Sequence, residues 1–226
     1  MEIVLLPGLD GTGNLFKPIL EELETSLKVK VIKYPNKKLS YKELISYVVK
    51  KLPSKEFILL AESFSGYIAY EIALLKPKNL KHIILVATFL KNPRPLLINL
   101  IFSKYILLLP IPKFIIKRVF LSTFIPNKTI ELFKSAIKSV SYEVLYFRIK
   151  QIKNLNPKLQ QIEIFATYIQ ATNDYLVTKN AIKQWQKVFR NLKIYKVNGG
   201  HLILQSNPTK CAKIINKIAL ELKQKA

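Results

Sequence analysis

The chain has 226 residues, half of them hydrophobic, which suffices for one sizeable core and gives no reason to expect a second domain. Its 37 Lys and Arg residues against 14 Asp and Glu residues give a formal net charge of +23. The positive residues are mostly lysines scattered along the chain, rather than a patch with interleaved Arg and aromatic residues, so the charge does not favour nucleic acid as a partner. An acidic protein, an anionic membrane surface and a role in solubility alone stay open as explanations.

The single cysteine and the apolar stretches bear on the compartment. Cys211 has no second cysteine to pair with, and its helical surroundings place it in the core or on a helix surface rather than in a nucleophile's role. The segment Met1–Gly8 carries an acid where a signal peptide carries Lys or Arg, so we expect a cytoplasmic protein. The most apolar stretch, Pro95–Ile116, is interrupted by lysines and prolines, and we predict no transmembrane helix.

Short apolar, β-branched runs bounded by turn residues predict strands at Ile3–Leu6, Val29–Lys33, Phe57–Ala61, Ile83–Ala87, Ala166–Gln170 and Leu192–Val197. Helical patterns near 15–27, 40–52, 64–75 and 178–189 lie between most of them, and a last one runs from about 208 to 223. Most of the strands look buried. This alternation predicts an α/β fold with a mostly parallel sheet and helices on both faces.

The strand pattern stops between Phe89 and about Asn156, where prolines separate three or four helical segments. Leu96–Leu109 and Phe114–Phe124 are apolar with flanking lysines, and Phe133–Phe147 alternates aromatic and polar residues at helical spacing. We predict a helical lid, inserted at about 89–156, over a pocket at the carboxyl edge of the sheet. The alternative is that these side chains only pack the insertion against the body of the domain.

A buried strand runs directly into a helix around Ser63, in the segment Phe57–Gly66. This arrangement is typical of a nucleophile elbow, in which a strained turn raises the serine above the sheet and requires small residues two positions before and after it. Ala61 and Ser65 are small, but the usual pattern is Gly-x-Ser-x-Gly. Ser63 as the N-cap of the following helix is the alternative.

A glycine-rich loop, Leu6–Gly13, follows the first strand. In an acyl-transfer site, one backbone N–H from such a loop and one from the residue after the nucleophile bind the oxyanion, and these would be Leu9 and Phe64. Phosphate binding is disfavoured because the loop lacks the Lys of a P-loop and has no dinucleotide-binding glycine spacing.

Histidine and aspartate are scarce, with two of each in the chain. His82 comes just before a strand and belongs at the amino edge of the sheet, whereas His201 follows the last strand, so His201 is the credible base. Asp174 follows the preceding strand, while Asp10 lies too near the oxyanion loop to be preferred. Together with Ser63 they give the chain order Ser, Asp, His, which is that of α/β-hydrolases.

Four segments resemble those of small bacterial α/β-hydrolases: Leu6–Gly13, Ala61–Gly66, Asn173–Val177 and Gly199–Pro208. They extend over nearly the whole chain, and the first also resembles the hydrolase-like part of plastid phytyl ester synthases. The resemblance implies an α/β-hydrolase fold and an esterase, thioesterase or acyltransferase that needs neither metal nor cofactor, with Ser63, Asp174 and His201 at the triad positions. The departures are Ala61 in place of the first elbow glycine and the absence of a His before Gly8.

The apolar insertion favours an acyl chain of short to medium length over a sugar or peptide, whose polar groups it would leave without partners. We therefore predict cleavage of an ester or thioester through an acyl-enzyme on Ser63. The net charge would suit an acyl group on an acidic acyl carrier protein, or a lipid in an anionic membrane. Acyl transfer to an alcohol and a non-catalytic lipid- or protein-binding module are the alternatives.

Overall fold

A computed structural model of the chain describes residues 1–96, 98 and 127–224. Its sheet has six strands, in the order β2-β1-β3-β4-β5-β6, and every neighbouring pair is parallel. The strands are β1 Glu2–Leu6, β2 Lys28–Val31, β3 Phe57–Glu62, β4 Leu80–Val86, β5 Ala166–Ala171 and β6 Leu192–Val197. Because all six point the same way, the segments that follow them meet at one edge, and the strand order reverses between β1 and β3, where α/β sheets open a crevice.

Eight α-helices lie wholly within the described residues: α1 Lys17–Leu20, α2 Tyr41–Val49, α3 Gly66–Leu74, α4 Asn127–Lys138, α5 Tyr142–Lys153, α6 Lys179–Val188, α7 Ile203–Ser206 and α8 Pro208–Lys223. Short 3₁₀ turns at Asn14–Phe16 and Ser63–Ser65 precede α1 and α3. Ser40 and Glu43 form a reciprocal capping box at the start of α2. No helix in this part of the chain is long and apolar enough to cross a membrane.

Alternation along β1 explains why helices cover both faces of the sheet. Ile3 and Leu5 belong to a core shared with α1 and α8, whereas Val4 and Leu6 belong to a second core shared with α2, α3 and α6. A strand that is apolar at every position must bury both of its faces. The predicted parallel sheet with helices on both faces is confirmed, and the edge strands β2 and β6 are only partly buried because each has one neighbour.

The predicted helix at 15–27 is wrong over its second half, because α1 ends at Leu20 and turns follow. The apolar spacing of Leu23 and Leu27 is helical, and both side chains are buried, but turns rather than a helix bring them to the core. The Glu24 N–H donates to the Asn216 side-chain oxygen of α8 at 3.3 Å. A contact with another element therefore takes a donor that a continuing helix would have used.

Helices α4 and α5 lie between β4 and β5, in the predicted insertion, and no strand is found among its described residues. The predicted segments Leu96–Leu109 and Phe114–Phe124 lie outside the described residues, apart from Leu96 and Ile98. The pattern at Phe133–Phe147 is helical but divided, since the chain turns between α4 and α5. There the Ser141 N–H and hydroxyl both donate to the Asn36 side-chain oxygen, at 3.1 and 3.3 Å.

Candidate active site

Ser63 lies at the point where β3 passes into α3, with a backbone φ of +50°. Non-glycine residues rarely adopt this left-handed conformation, which costs free energy and occurs mainly at functional sites. Its Oγ lies 2.8 Å from His201 Nε2. No side-chain cap is formed at the start of the 3₁₀ turn or of α3, so the alternative interpretation of Ser63 as an N-cap is wrong.

Asp174 forms a hydrogen bond with the second ring nitrogen of His201. Its Oδ2 lies 2.9 Å from His201 Nδ1, and its Oδ1 accepts the N–H groups of Leu176 and Val177, each at 2.8 Å. The carboxylate is thus fixed by its own loop after β5, while His201 comes from the loop after β6. The structure therefore brings Ser63, His201 and Asp174 into one hydrogen-bonded chain at the carboxyl edge of the sheet.

Burial opposes protonation of His201, but the Asp174 carboxylate and its hydrogen bond outweigh burial, with a smaller contribution from Glu62, so the pKa of His201 is raised above its ordinary value. A raised pKa means that the imidazolium is stabilised here relative to water. This is the property needed by a base that must hold a proton briefly and return it.

His82 lies inside β4, near its amino end, because the strand begins at Leu80 and not at Ile83 as predicted, and it does not reach the other three side chains. Its Nε2 is 3.0 Å from the Thr167 hydroxyl, and burial lowers the pKa of His82 to about 4. Asp10 is also occupied elsewhere, since its Oδ2 accepts from the backbone and side chain of Thr12. Cys211 is buried in α8 with its Sγ 3.7 Å from the Ile203 carbonyl oxygen, consistent with a core residue.

The departure from the usual elbow pattern at its second small position has a structural reason. Ser65, at the second small position, is buried, and its hydroxyl donates to the Pro7 carbonyl and contacts the Tyr34 hydroxyl. A glycine could not make this link between the elbow and the loop after β1. Gly66 provides the close approach instead, because a β-carbon there would lie 2.6 Å from Thr88 Cβ and 3.1 Å from Trp185 Cζ2.

The loop after β1 lies against Ser63. A β-carbon built on Gly8 would lie 3.8 Å from Ser63 Cβ, which places Leu9 next to the serine. Among the described residues, no backbone acceptor is found for the N–H of Leu9 or of Phe64. Both predicted oxyanion donors are therefore beside Ser63, and their role stays a prediction.

Sequence reasoning missed Glu62 and Arg148. Glu62 is buried beside Ser63: Gln205 Nε2 donates to its Oε1 at 2.9 Å, and burial raises its pKa to about 7. Arg148 is buried with its guanidinium against the loop after β1. Each had a signal in the sequence, since Glu62 ends an apolar strand and Arg148 lies four residues from both Val144 and Ile152 on the apolar face of α5.

A cavity that is open to solvent contains Ser63 and His201 in its wall. Its other described lining is mostly apolar, and seven of these residues come from α4, α5 and the loop after β5: Phe133, Ile137, Leu145, Ile149, Ile152, Leu176 and Val177. No group of three or more His, Cys, Asp or Glu side chains that could hold a metal ion is found within residues 1–96, 98 and 127–224. The cavity thus combines a serine–histidine pair with an apolar wall.

No family model matches the sequence, and no curated protein is significantly similar to it. The structure is similar to that of a lipase-esterase related protein from Clostridium acetobutylicum, with a TM-score of 0.79 and 15% identity over 96% of this chain and 93% of the other. An esterase from Exiguobacterium antarcticum gives a TM-score of 0.79 at 13% identity, over 96% and 91%. RedJ, a thioesterase of the prodiginine pathway in Streptomyces coelicolor, gives 0.70 at 14%, over 96% and 89%. These likenesses confirm the predicted α/β-hydrolase fold, and at such low identity they establish the fold alone.

Proposed function

We propose that the protein is a serine hydrolase that cleaves a carboxylic ester or thioester of an apolar acyl group through an acyl-enzyme on Ser63. The observation that carries the proposal is the hydrogen-bonded chain Ser63–His201–Asp174 at an apolar cavity. The names of the similar structures, esterases and a thioesterase, support the same reaction class.

In the acylation step, Ser63 Oγ attacks the acyl carbon and its proton passes to His201 Nε2. Asp174 keeps the Nδ1–H tautomer and stabilises the imidazolium. The carbonyl π electrons move to oxygen, and the N–H groups of Leu9 and Phe64 bind that oxyanion. The tetrahedral intermediate collapses with loss of an alkoxide or a thiolate, which takes the proton from His201 Nε2 and departs as an alcohol or a thiol.

Deacylation repeats the same steps with another nucleophile. Water gives up a proton to His201 Nε2 and attacks the acyl carbon, and Ser63 leaves with the returned proton, so that a carboxylic acid is released. An alcohol in the place of water would give a new ester, and the protein would then be an acyltransferase. Product analysis with and without an added alcohol distinguishes the two reactions.

The cavity wall supports an apolar acyl group as substrate. Its described lining presents aliphatic and aromatic carbon, and a sugar or peptide bound there would lose hydrogen bonds to water without replacement. Burial of each further CH₂ of an acyl chain is worth about 0.8 kcal/mol. We therefore expect kcat/KM on p-nitrophenyl esters to rise with acyl length until the cavity is filled.

A fluorophosphonate probe and this ester series test the proposal with S63A and a matched control, S46A. Ser46 is an exposed serine in α2 that does not belong to the described lining of the cavity, and its hydroxyl donates to the Lys42 carbonyl at 3.1 Å. The native protein and S46A should be labelled and active, and S63A should not be labelled and should lose activity on the order of 10⁴-fold or more. Absence of labelling in the native protein, or equal labelling of S63A, contradicts the proposal, and the first result would favour a non-catalytic binding module.

A further inference from the structure

Arg148 of α5 is 1% exposed, and its guanidinium binds three backbone carbonyls. Nη1 donates to the Leu9 oxygen at 2.9 Å and to the Asp10 oxygen at 2.7 Å, and Nη2 donates to the Pro35 oxygen at 3.0 Å. The guanidinium carbon also lies 5.8 Å from the centre of the Tyr34 ring. One side chain of the insertion thus holds the loop after β1 and the loop after β2 together.

Placing a cation here costs free energy. Burial lowers the pKa of Arg148, which means that its charged form is less well solvated than in water, although Tyr34 and Asp10 offset part of this. A leucine or methionine on the same face as Val144 and Ile152 would pack without this penalty. The three hydrogen bonds to backbone carbonyls therefore hold the two loops in a way that an apolar side chain in this position could not.

The loop that Arg148 holds turns at Gly11. Gly11 has a φ of +69°, and a β-carbon there would lie 2.6 Å from Arg148 Nη1, so both the conformation and the contact require glycine. Among the described residues, the hydrogen bonds found for the Leu9 and Asp10 carbonyl oxygens are those from Arg148. The guanidinium therefore fixes the direction of the Leu9–Asp10 peptide, which adjoins the Gly8–Leu9 peptide that carries the Leu9 N–H.

We propose that Arg148 is a positioning residue for the oxyanion hole, which ties α5 of the insertion to the loop that carries the Leu9 N–H. The inference rests on the proposed hydrolase function. Without Arg148, the Leu9 carbonyl loses its donor, and the N–H of Leu9 no longer points steadily at the oxyanion. Because the oxyanion exists only in the transition state and the tetrahedral intermediate, kcat should fall while substrate binding is kept.

The test compares the native protein with R148M, R148K and a matched control, R190M. Arg190 is exposed, and its Nε donates to the Gln161 side-chain oxygen at 3.1 Å. We expect R148M to lower kcat on the best ester by about 100-fold with little change in KM. R148K, which keeps the charge but has no planar fork to bind several carbonyls, should fall between R148M and the native protein. R190M should match the native protein.

A second readout separates positioning from general damage. A trifluoromethyl ketone forms a tetrahedral adduct with an oxyanion, whereas the corresponding unreactive amide occupies the cavity without one. The ketone should bind R148M more weakly by the same factor as kcat/KM falls, and the amide should bind as in the native protein. If R148M does not fold, the same comparison is made for R148K: its loss of ketone affinity should equal its loss of kcat/KM, and its affinity for the amide should be unchanged.

Each outcome has one meaning. A native protein that neither turns over esters nor binds the ketone overturns the proposed function. A native protein that does both, with R148M and R148K equal to it in kcat and in ketone affinity, overturns the inference about Arg148. Equal weakening of the ketone and the amide also overturns it, because the residue would then only maintain the cavity.

Discussion

Glu62 occupies the position directly before Ser63 and is 2% exposed. Its Oε1 accepts from Gln205 Nε2, and no hydrogen-bond partner for its Oε2 is found among the described residues. Burial raises its pKa from 4.5 to about 7, so a carboxyl group that is ionised in the unfolded chain at neutral pH is partly protonated in the folded one. Ionising it in the folded protein costs about 3 kcal/mol more than in the unfolded chain.

E62Q should therefore change how stability depends on pH. The pKa of Glu62 is higher in the folded than in the unfolded state, so its stabilising contribution is fully present below about 4.5 and is lost as the pH rises through about 7. Glutamine does not titrate. We expect the free energy of unfolding of E62Q minus that of the native protein to increase by about 2 to 3 kcal/mol between about pH 5 and pH 8.5.

Urea unfolding across that range, followed by circular dichroism, measures the difference. E22Q, which changes an exposed acid in the same way, is the control and should follow the native protein at every pH. A difference between E62Q and the native protein that stays constant or decreases with rising pH would show that Glu62 is not a buried acid of raised pKa.

Most of the residues of the candidate site could be predicted from the sequence, because the chain has few His and Asp residues and those of the site follow the ends of strands. Ser63, Asp174 and His201 each come just after a parallel strand, and parallel strands end at one edge. Glu62 and Arg148 could not be placed in the same way. An acid at the end of an apolar strand, or an arginine among apolar residues of a helix, gives no indication of its partner until the elements are packed together.

At the scale of elements, α3 begins with a contact that sets its distance from the sheet. Gly66 lies against Thr88 and Trp185, and a β-carbon would approach Thr88 Cγ2 to 3.1 Å and Thr88 Cβ to 2.6 Å. These neighbours are the body of a β-branched side chain and an indole ring, both fully buried, so neither can move aside at low cost. The start of α3, and with it Ser63, is held by this close packing.

G66A should destabilise the fold by about 1 to 3 kcal/mol, because overpacking outweighs the helix preference of alanine. It should also lower esterase activity, since α3 and the elbow must shift together. G8A is the control for stability, because a β-carbon on Gly8 meets its neighbours at 3.8 to 3.9 Å, an ordinary contact distance. Thermal and urea unfolding of the two variants measures the difference in stability. A G66A protein as stable as G8A would contradict the prediction that a β-carbon at position 66 overpacks the core.

The strands could be predicted well and the helices less so, for a physical reason. The four central strands are almost entirely buried and mostly apolar, which leaves a nearly continuous signal in the sequence, as in Phe57–Glu62. A helix end is decided by single hydrogen bonds, such as the one from the Glu24 N–H to Asn216, and these join residues distant in the chain. The turn that divides α4 from α5 also depends on a residue distant in the chain, since Ser141 donates to Asn36, which lies in the loop after β2.

At the scale of the whole molecule, the order of the strands explains where the cavity lies. The chain places β2 on one side of β1 and then returns to place β3 on the other side, so the loops after β1 and β3 diverge above the sheet. Those two loops carry Leu9 and Ser63, and the cavity opens beside both. The strand directions follow from the alternation of elements in the sequence, but the neighbour of each strand depends on contacts between distant segments.

The chain carries a net charge of +23, and the described wall of its cavity is largely apolar, so we expect charge and acyl recognition to act on different parts of a substrate. A field of this size attracts an acidic carrier of the acyl group from a distance and raises the association rate, and dissolved salt screens it. A neutral soluble ester experiences no such attraction. We propose that an acyl group presented on an acidic acyl carrier protein is the better substrate at low ionic strength.

The prediction concerns the slope of kcat/KM against salt for one acyl group presented in two ways. Between about 0.02 and 0.5 M NaCl, kcat/KM for the carrier-bound thioester should fall by at least about tenfold, and that for the neutral ester should stay within about twofold. Anionic vesicles that contain the same acyl group in a lipid ester form a third arm, and a steeper salt dependence there would favour a membrane surface as the acidic partner. Equal slopes for all three substrates would mean that the charge takes no part in substrate capture, because screening acts on the attraction between charges and leaves burial of the acyl chain unchanged.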